Sequence, residues 1–264
     1  MKKTLLAATA LSGIMLAATA PTASAADVVG GILNFFTADA PGGGFHAGSI
    51  LGHARVIGVL PNVDAPAHVF VNNGADTFPT NTAGKVDVTQ TIEPEVDVSY
   101  FITDHIAAEA IAGTTKHSLH LKDTVANTVT TNSDIAIGTV RLLPPTLTLK
   151  YYFFPHAAFS PYLGAGVNYT WFFDIHGDLN GSGGGGVRLS NSSIQLQDSW
   201  GGVIQAGVEY NFLGNWYANL DIKHIFLTTQ ATVSTTAANA LPVTIRADTT
   251  LDPTIIGFGV GYKF

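Results

Sequence analysis

The stretch that most limits what this chain can fold into is its last, Thr254 to Phe264 (TIIGFGVGYKF). Taken at a period of two, Ile256, Phe258, Val260, Tyr262 and Phe264 share one face, and Gly257, Gly259, Gly261 and Lys263 share the other. One face is continuously apolar and the other is nearly bare. A strand of a soluble sandwich would bury its apolar face under a second sheet and would rarely stop on an exposed aromatic. An aromatic at a strand end is what a membrane interface holds. The stretch is therefore expected to be the closing strand of a transmembrane β-barrel, its glycines leaving room along one interior wall.

The composition agrees with crossing a bilayer by strands. Charged residues are 12% of the chain, about half the share of a soluble domain. Mean hydropathy is positive, yet beyond the first residues no segment offers the ~18 uninterrupted apolar positions of a spanning helix. Strands need only ~9–11 residues each. At the start, Lys2 and Lys3 precede an apolar run from Leu5 to Ala20, then Pro21 and the small-residue site Ala23-Ser24-Ala25. Residues 1–25 are expected to be a secretory signal peptide. Residues 26–43 are expected to form an N-terminal periplasmic segment, and 44–264 the barrel. The formal net charge is −7, and losing Lys2 and Lys3 makes it more negative. Such a balance argues against nucleic acid as a partner. Without cysteine there is neither a disulfide framework nor thiolate chemistry.

Seven further alternating stretches precede the closing one. The first is expected from Phe45 to Leu60 with His53 and Arg55 inward, since Arg55 against lipid would cost ~2–4 kcal/mol at mid-bilayer. The second runs from Glu95 with Asp97 inward, and the third from Ile106 to His117 with Glu109 and Ile111 inward. The fourth follows Pro144-Pro145 with Lys150 inward. The fifth spans Pro161 to Phe173; the sixth, Trp200 to Phe212, turns Glu209 inward. The seventh turns Asp221 and Lys223 inward and leaves His224 toward lipid. Connections alternate between long (61–91, 118–143, 174–197, 231–242) and short (Thr103-Asp104-His105, Pro155 to Ser160, Leu213-Gly214-Asn215). The fold class is thus all-β, an eight-stranded antiparallel transmembrane β-barrel with short periplasmic turns and long extracellular loops. Trp171 and Trp200 then mark the outer interface, and Trp216 and Phe264 the inner one.

The inward faces gather Arg55, Lys150, Lys223 and Lys263 against Asp97, Glu109, Glu209 and Asp221. This is either an ion-pair network that seals a narrow barrel or a polar constriction that a solute negotiates. The glycine run 181–186 has no Gly-Lys-Ser/Thr after it and reads as a flexible loop rather than a phosphate cradle. His117-Ser118-Leu119-His120 with Asp123 lacks the glutamate of a His-Glu-x-x-His zinc motif. Neighbours His117 and Ser118 point to opposite faces of a strand, which does not pair a base with a nucleophile. No catalytic residue, metal ligand or cofactor site is expected.

Five stretches together resemble the OmpW family of small outer-membrane barrels. They are Tyr100–His105 (YFITDH), Leu143–Leu147 (LPPTL), Pro161–Thr170 (PYLGAGVNYT), Asp198–Gly201 (DSWG), and Leu251–Pro253 (LDP) with Gly261–Phe264 (GYKF). The resemblance implies a hydrophobic cavity open to the outside, from which small apolar molecules pass sideways into the outer membrane. It implies a cavity floor closed by an aliphatic residue on strand three and a tryptophan on strand seven, positions held here by Ile111 and Lys223. The lysine departs from the pattern and is expected to pair with Glu109 or Asp221, making the floor polar. Pro144 and Pro145, which lack N–H donors, are the expected lateral opening. By resemblance, Tyr262 and Phe264 form the signal read by the barrel-insertion machinery. Expected partners are that machinery, outer-membrane lipid and small apolar solutes. The alternative is an interaction barrel whose loops bind host surfaces, phage or toxins.

Overall fold

A computed structural model describes residues 30–31, 34, 36–63, 68–72, 77–80, 85–122, 125–126, 129–130, 134–177, 190–236 and 242–264. The expected leader 1–25, Asp123 and the glycine run 181–186 lie outside the described residues.

Eight strands close on themselves in chain order. They are Ile50–Leu60 (strand one), Thr91–Phe101 (two), Ile106–Gly113 continued by Thr115–Lys122 (three), and Asp134–Leu143 continued by Thr146–Tyr152 (four). Phe159–Gly177 (five), Ser199–Leu213 (six), Trp216–Phe226 (seven) and Thr254–Lys263 (eight) complete the barrel. Each strand pairs antiparallel with its neighbours, and strand one closes on strand eight with Leu51 opposite Lys263 and Leu60 opposite Thr254.

Alternation sets which face looks out. Val96, Val98, Leu147, Leu149, Leu163, Val167, Ile204, Leu220, Ile222 and Phe258 are exposed around the outer wall, while residues one position away are buried. A slip of one residue would exchange the two sets. Trp171 and Trp200 sit on this wall at the long-loop end, and Tyr169 packs on Trp200 with ring centroids 4.9 Å apart. Trp216, Tyr262 and Phe264 sit at the short-turn end in edge-to-face contact, 5.0 Å between successive rings. His224, on the outer wall, shares a hydrogen bond of 3.1 Å with Thr254 Oγ1 and lies edge-on to Phe226.

Two expectations need correction. The first strand begins at Ile50, not Phe45. Gly43, Gly44 and Gly48 take positive φ (78°, 71° and 89°), so the chain turns where an extended strand was expected. Phe45 is thereby carried into the barrel's short-turn end, where it is fully buried and stacks on Phe101 and Tyr217 at 4.5 and 4.8 Å. Its amide donates to the Pro155 carbonyl, and the Ala40 amide to that of His156. Residues 40–48 therefore form a plug at that end.

The second correction concerns the long loops, much of which is sheet. Thr115–Lys122 pairs with Asp134–Leu143 and Lys85–Val88, and Thr228–Thr236 pairs with Pro242–Thr250, which pairs with His68–Asn72. These segments are rich in Thr and Val, and their short alternations, such as Val243-Thr244-Ile245-Arg246, lie next to Asn-, Gly- and Pro-rich stretches that read as loops. They suit a pleated sheet in water and carry no membrane pattern.

Candidate functional site

The interior is layered from the short-turn end upward. The base is the aromatic cluster of Phe45, Phe101, Tyr152, Tyr162 and Tyr217 with Leu51 and Ala107. Above it lies a layer of charge. Arg55 reaches Glu95 and Asp97 through Nη1, each at 3.1 Å, and Glu109 through Nη2 at 3.1 Å. Lys150 Nζ is 2.9 Å from Glu109 and stands over the Tyr162 ring. His53 presents Nδ1 to Asp97 at 2.7 Å and Nε2 to Glu209 at 3.2 Å. A ring that donates from both nitrogens is an imidazolium. Asn219, Gln205, Thr148 and the Tyr162 hydroxyl donate to the remaining carboxylate oxygens of Glu209, Glu109 and Asp221. Ions held this deep cost several kcal/mol each in lost hydration, which dense pairing offsets, although Arg55 Nε and Asp221 Oδ1 have no hydrogen-bond partner among the described residues.

The structure brings together the predicted Arg55, Asp97, Glu109, Lys150, Glu209 and Asp221, adds His53 and Glu95, and leaves Lys263 out. Lys263 Nζ donates instead to the carbonyls of Gly42 and Gly44 in the plug. The expected pairing of Lys223 is also revised. Its main partner is Glu95 at 2.7 Å, with Asp221 at 3.6 Å, while Glu109 belongs to Lys150 and Arg55. His53 was already expected inward beside Arg55, and Glu95 could have been found from parity, since it shares the inward set with Asp97.

The glycines of strand eight leave no open wall. A methyl group built at Gly261 would lie 2.5 Å from His53 Cδ2, and one at Gly259 would lie 2.3 Å from the Ala54 carbonyl oxygen and 2.8 Å from Arg55 Cγ. Their missing side chains are the space that His53 and Arg55 occupy.

Above the charge a small cavity of about 70 Å³ opens toward the long-loop end. Its walls are Ile57, Val59, Ile225, Leu227, Leu251 and Ile255, with Val88 and Leu142 on the far side. Ile111 and Lys223, from strands three and seven, both line it, and Lys223 is joined there by its partner Glu95. His117 also faces the cavity, its Nδ1 2.8 Å from the Thr89 carbonyl and its Nε2 3.1 Å from Thr115 Oγ1.

Pro144 borders the same cavity. Toward strand three the ladder runs to Leu142 opposite Thr115 and resumes at Thr146 opposite Ile111. Residues 143–145 and 112–114 between those pairs are not matched. Toward strand five the break is bridged by the Tyr169 amide to the Pro145 carbonyl, and Asn168 Nδ2 donates to the Pro144 carbonyl at 3.2 Å. The wall is stitched on one side of the prolines and unstitched on the other.

Residues 46–264 match the OmpW family. The chain belongs to that family. The Escherichia coli (strain K12) outer membrane protein W is 33% identical over 69% of this chain and 77% of its own. The uncharacterized outer-membrane protein y4mB of Sinorhizobium fredii is 36% identical over 65% of each chain, so the chain spans just under two thirds of that relative. The dibenzothiophene metabolism operon protein PahQ of Pseudomonas aeruginosa is 27% identical over 76% of this chain and 82% of its own. The outer membrane protein OprG of Pseudomonas aeruginosa superposes with a TM-score of 0.68 at 26% identity, covering 84% of this chain and 98% of that one. This OmpW-family barrel is thus an outer-membrane protein, and its short-turn end, by the rule for such barrels, is periplasmic.

Proposed function

We propose that this OmpW-family barrel admits small hydrophobic molecules from outside and releases them sideways into the outer membrane. A solute partitions from water into the apolar cavity, gaining about 25 cal/mol for each Å² of apolar surface removed from water. The charged layer stops it from moving down the axis, because an apolar guest cannot replace the ion pairs it would have to break. The way left is through the wall where Pro144 and Pro145 supply no donors to strand three.

The observation that carries this reading is that one apolar cavity touches both the Lys223–Glu95 floor and the unstitched edge at Pro144. The association of PahQ, by name, with dibenzothiophene metabolism points to solutes of the same apolar class. Cells carrying Pro144→Ala with Pro145→Ala are the test. Two restored N–H donors let the ladder close, and uptake of an apolar fluorescent probe is expected to fall several-fold at equal barrel abundance. Unchanged uptake would rule out this exit.

A further inference from the structure

At the periplasmic face, away from both cavity and charged layer, three side chains from three separate segments converge. His46 comes from the plug, Asp104 from the turn between strands two and three, and His156 from the turn between strands four and five. Their ligand atoms all lie within 4.8 Å of one another. His156 Nε2 stands 3.4 Å from Asp104 Oδ2, and His46 Nδ1 stands 4.0 Å from the same oxygen. Ligands ~2.1 Å from a tetrahedral zinc ion are separated by ~3.4 Å, so the His156–Asp104 edge is already at that spacing, the His46–Asp104 edge at 4.0 Å is wider, and the edge between the two rings is within 4.8 Å.

The surroundings orient these atoms for a cation. Asp104 Oδ1 accepts the Ala47 amide at 2.8 Å, which anchors one carboxylate oxygen and leaves the other facing both rings. His46 Nε2 lies 2.9 Å from the Gly43 carbonyl. A carbonyl only accepts, so Nε2 carries a proton, and Nδ1 is the nitrogen that faces Asp104 and is available to a metal ion. A histidine that donates its far N–H to a backbone carbonyl is the usual arrangement at a metal centre. A ring nitrogen facing a carboxylate calls for positive charge between them, supplied by a proton or by a metal ion that replaces it. The two imidazoles lie 4.8 Å apart, tilted by 32°, and all three side chains are about half exposed, so an ion has access from the periplasm.

We propose that His46, Asp104 and His156 form a three-ligand site for a divalent transition-metal ion of the zinc type, with water in the fourth position. Imidazole and carboxylate donors suit zinc and its neighbours rather than calcium or magnesium. Bound there, the ion fastens the plug to two periplasmic turns and stabilises the closed base of the barrel.

Isothermal titration of Zn²⁺ into the untagged barrel in detergent, with far-UV circular dichroism as a check on folding, tests this. One ion per barrel is expected. Affinity should drop at least ~10-fold in each of His46→Ala, His156→Ala and Asp104→Asn, all folded, with little change in His176→Ala at the opposite end. Zinc should also raise the thermal midpoint of the wild type and not that of His46→Ala with His156→Ala. No uptake by the wild type, uptake that survives in the double variant, or a loss confined to one of the three variants would overturn the proposal.

Discussion

At the scale of single residues, Arg55 is the centre of the charged layer because three carboxylates from two strands converge on one guanidinium. A planar fork with five donors can serve several partners at once, which a lysine cannot. Arg55→Met keeps much of the bulk but strips Glu95, Asp97 and Glu109 of their shared cation. The loss should be about 3–5 kcal/mol, seen as a lower urea midpoint for the barrel in lipid vesicles. Adding Glu109→Gln should recover part of it; a midpoint no different from wild type in Arg55→Met would show the layer to be dispensable. The inward position of every member was legible from parity, because a side chain's face depends only on its place in its own strand. Partnership was not legible. Whether Lys223 meets Glu109 or Glu95 depends on the stagger between strands, and whether Lys263 joins depends on the carbonyls of Gly42 and Gly44, which no alternation in the sequence places beside it. The glycines opposite Arg55 and His53 were misread as space for the same reason: an absent side chain shows in the sequence, and its filler does not.

At the scale of elements, the membrane-crossing parts of the strands were read nearly to the residue, since lipid on one side enforces strict alternation. Their extensions above Trp171 and Trp200 were largely read as loops, because their short alternations, such as Val243-Thr244-Ile245-Arg246, are embedded in Asn-, Gly- and Thr-rich stretches that mark turns. Strand three shows the boundary. Ile106–Gly113 lies against lipid and alternates, whereas Thr115–Lys122 rises into the outer sheet and carries His117 at the cavity rim. Burial pushes the His117 imidazole below its ordinary 6.5, outweighing the Thr89 carbonyl and Glu93, which act in the opposite direction. In the unfolded segment the ring protonates as pH falls through 6.5, while in the folded one it resists until lower pH. Above 6.5 the ring is neutral in both states and no penalty exists; below it the folded extension steadily loses stability relative to the open one. Ring NMR of His117 should give a midpoint under 6.5, and amide exchange over Thr115–Lys122 should quicken as pH drops below that value. A midpoint at or above 6.5 would contradict a buried neutral ring.

At the scale of the whole molecule, two packed layers lie below the cavity, the ion layer and the aromatic base with Phe45. This redundancy distinguishes an axial route from a lateral one. A solute passing straight through would have to displace Phe45, whereas one leaving through the wall at Pro144 never meets it. Phe45→Ala removes a ring stacked on Phe101 and Tyr217 and should lower barrel stability by about 3–5 kcal/mol. The ion layer above remains, held by side-chain pairs that do not involve Phe45, so planar-bilayer ion conductance should stay as low as in the wild type. Apolar probe uptake, normalised to folded protein, should also match the wild type. If Phe45→Ala instead raised uptake, solute would be reaching the periplasmic base, and the lateral route would have to give way to an axial one. Paired with the Pro144→Ala and Pro145→Ala variant, the measurement separates the routes by sign: the wall variant slows uptake, and the base variant leaves it unchanged.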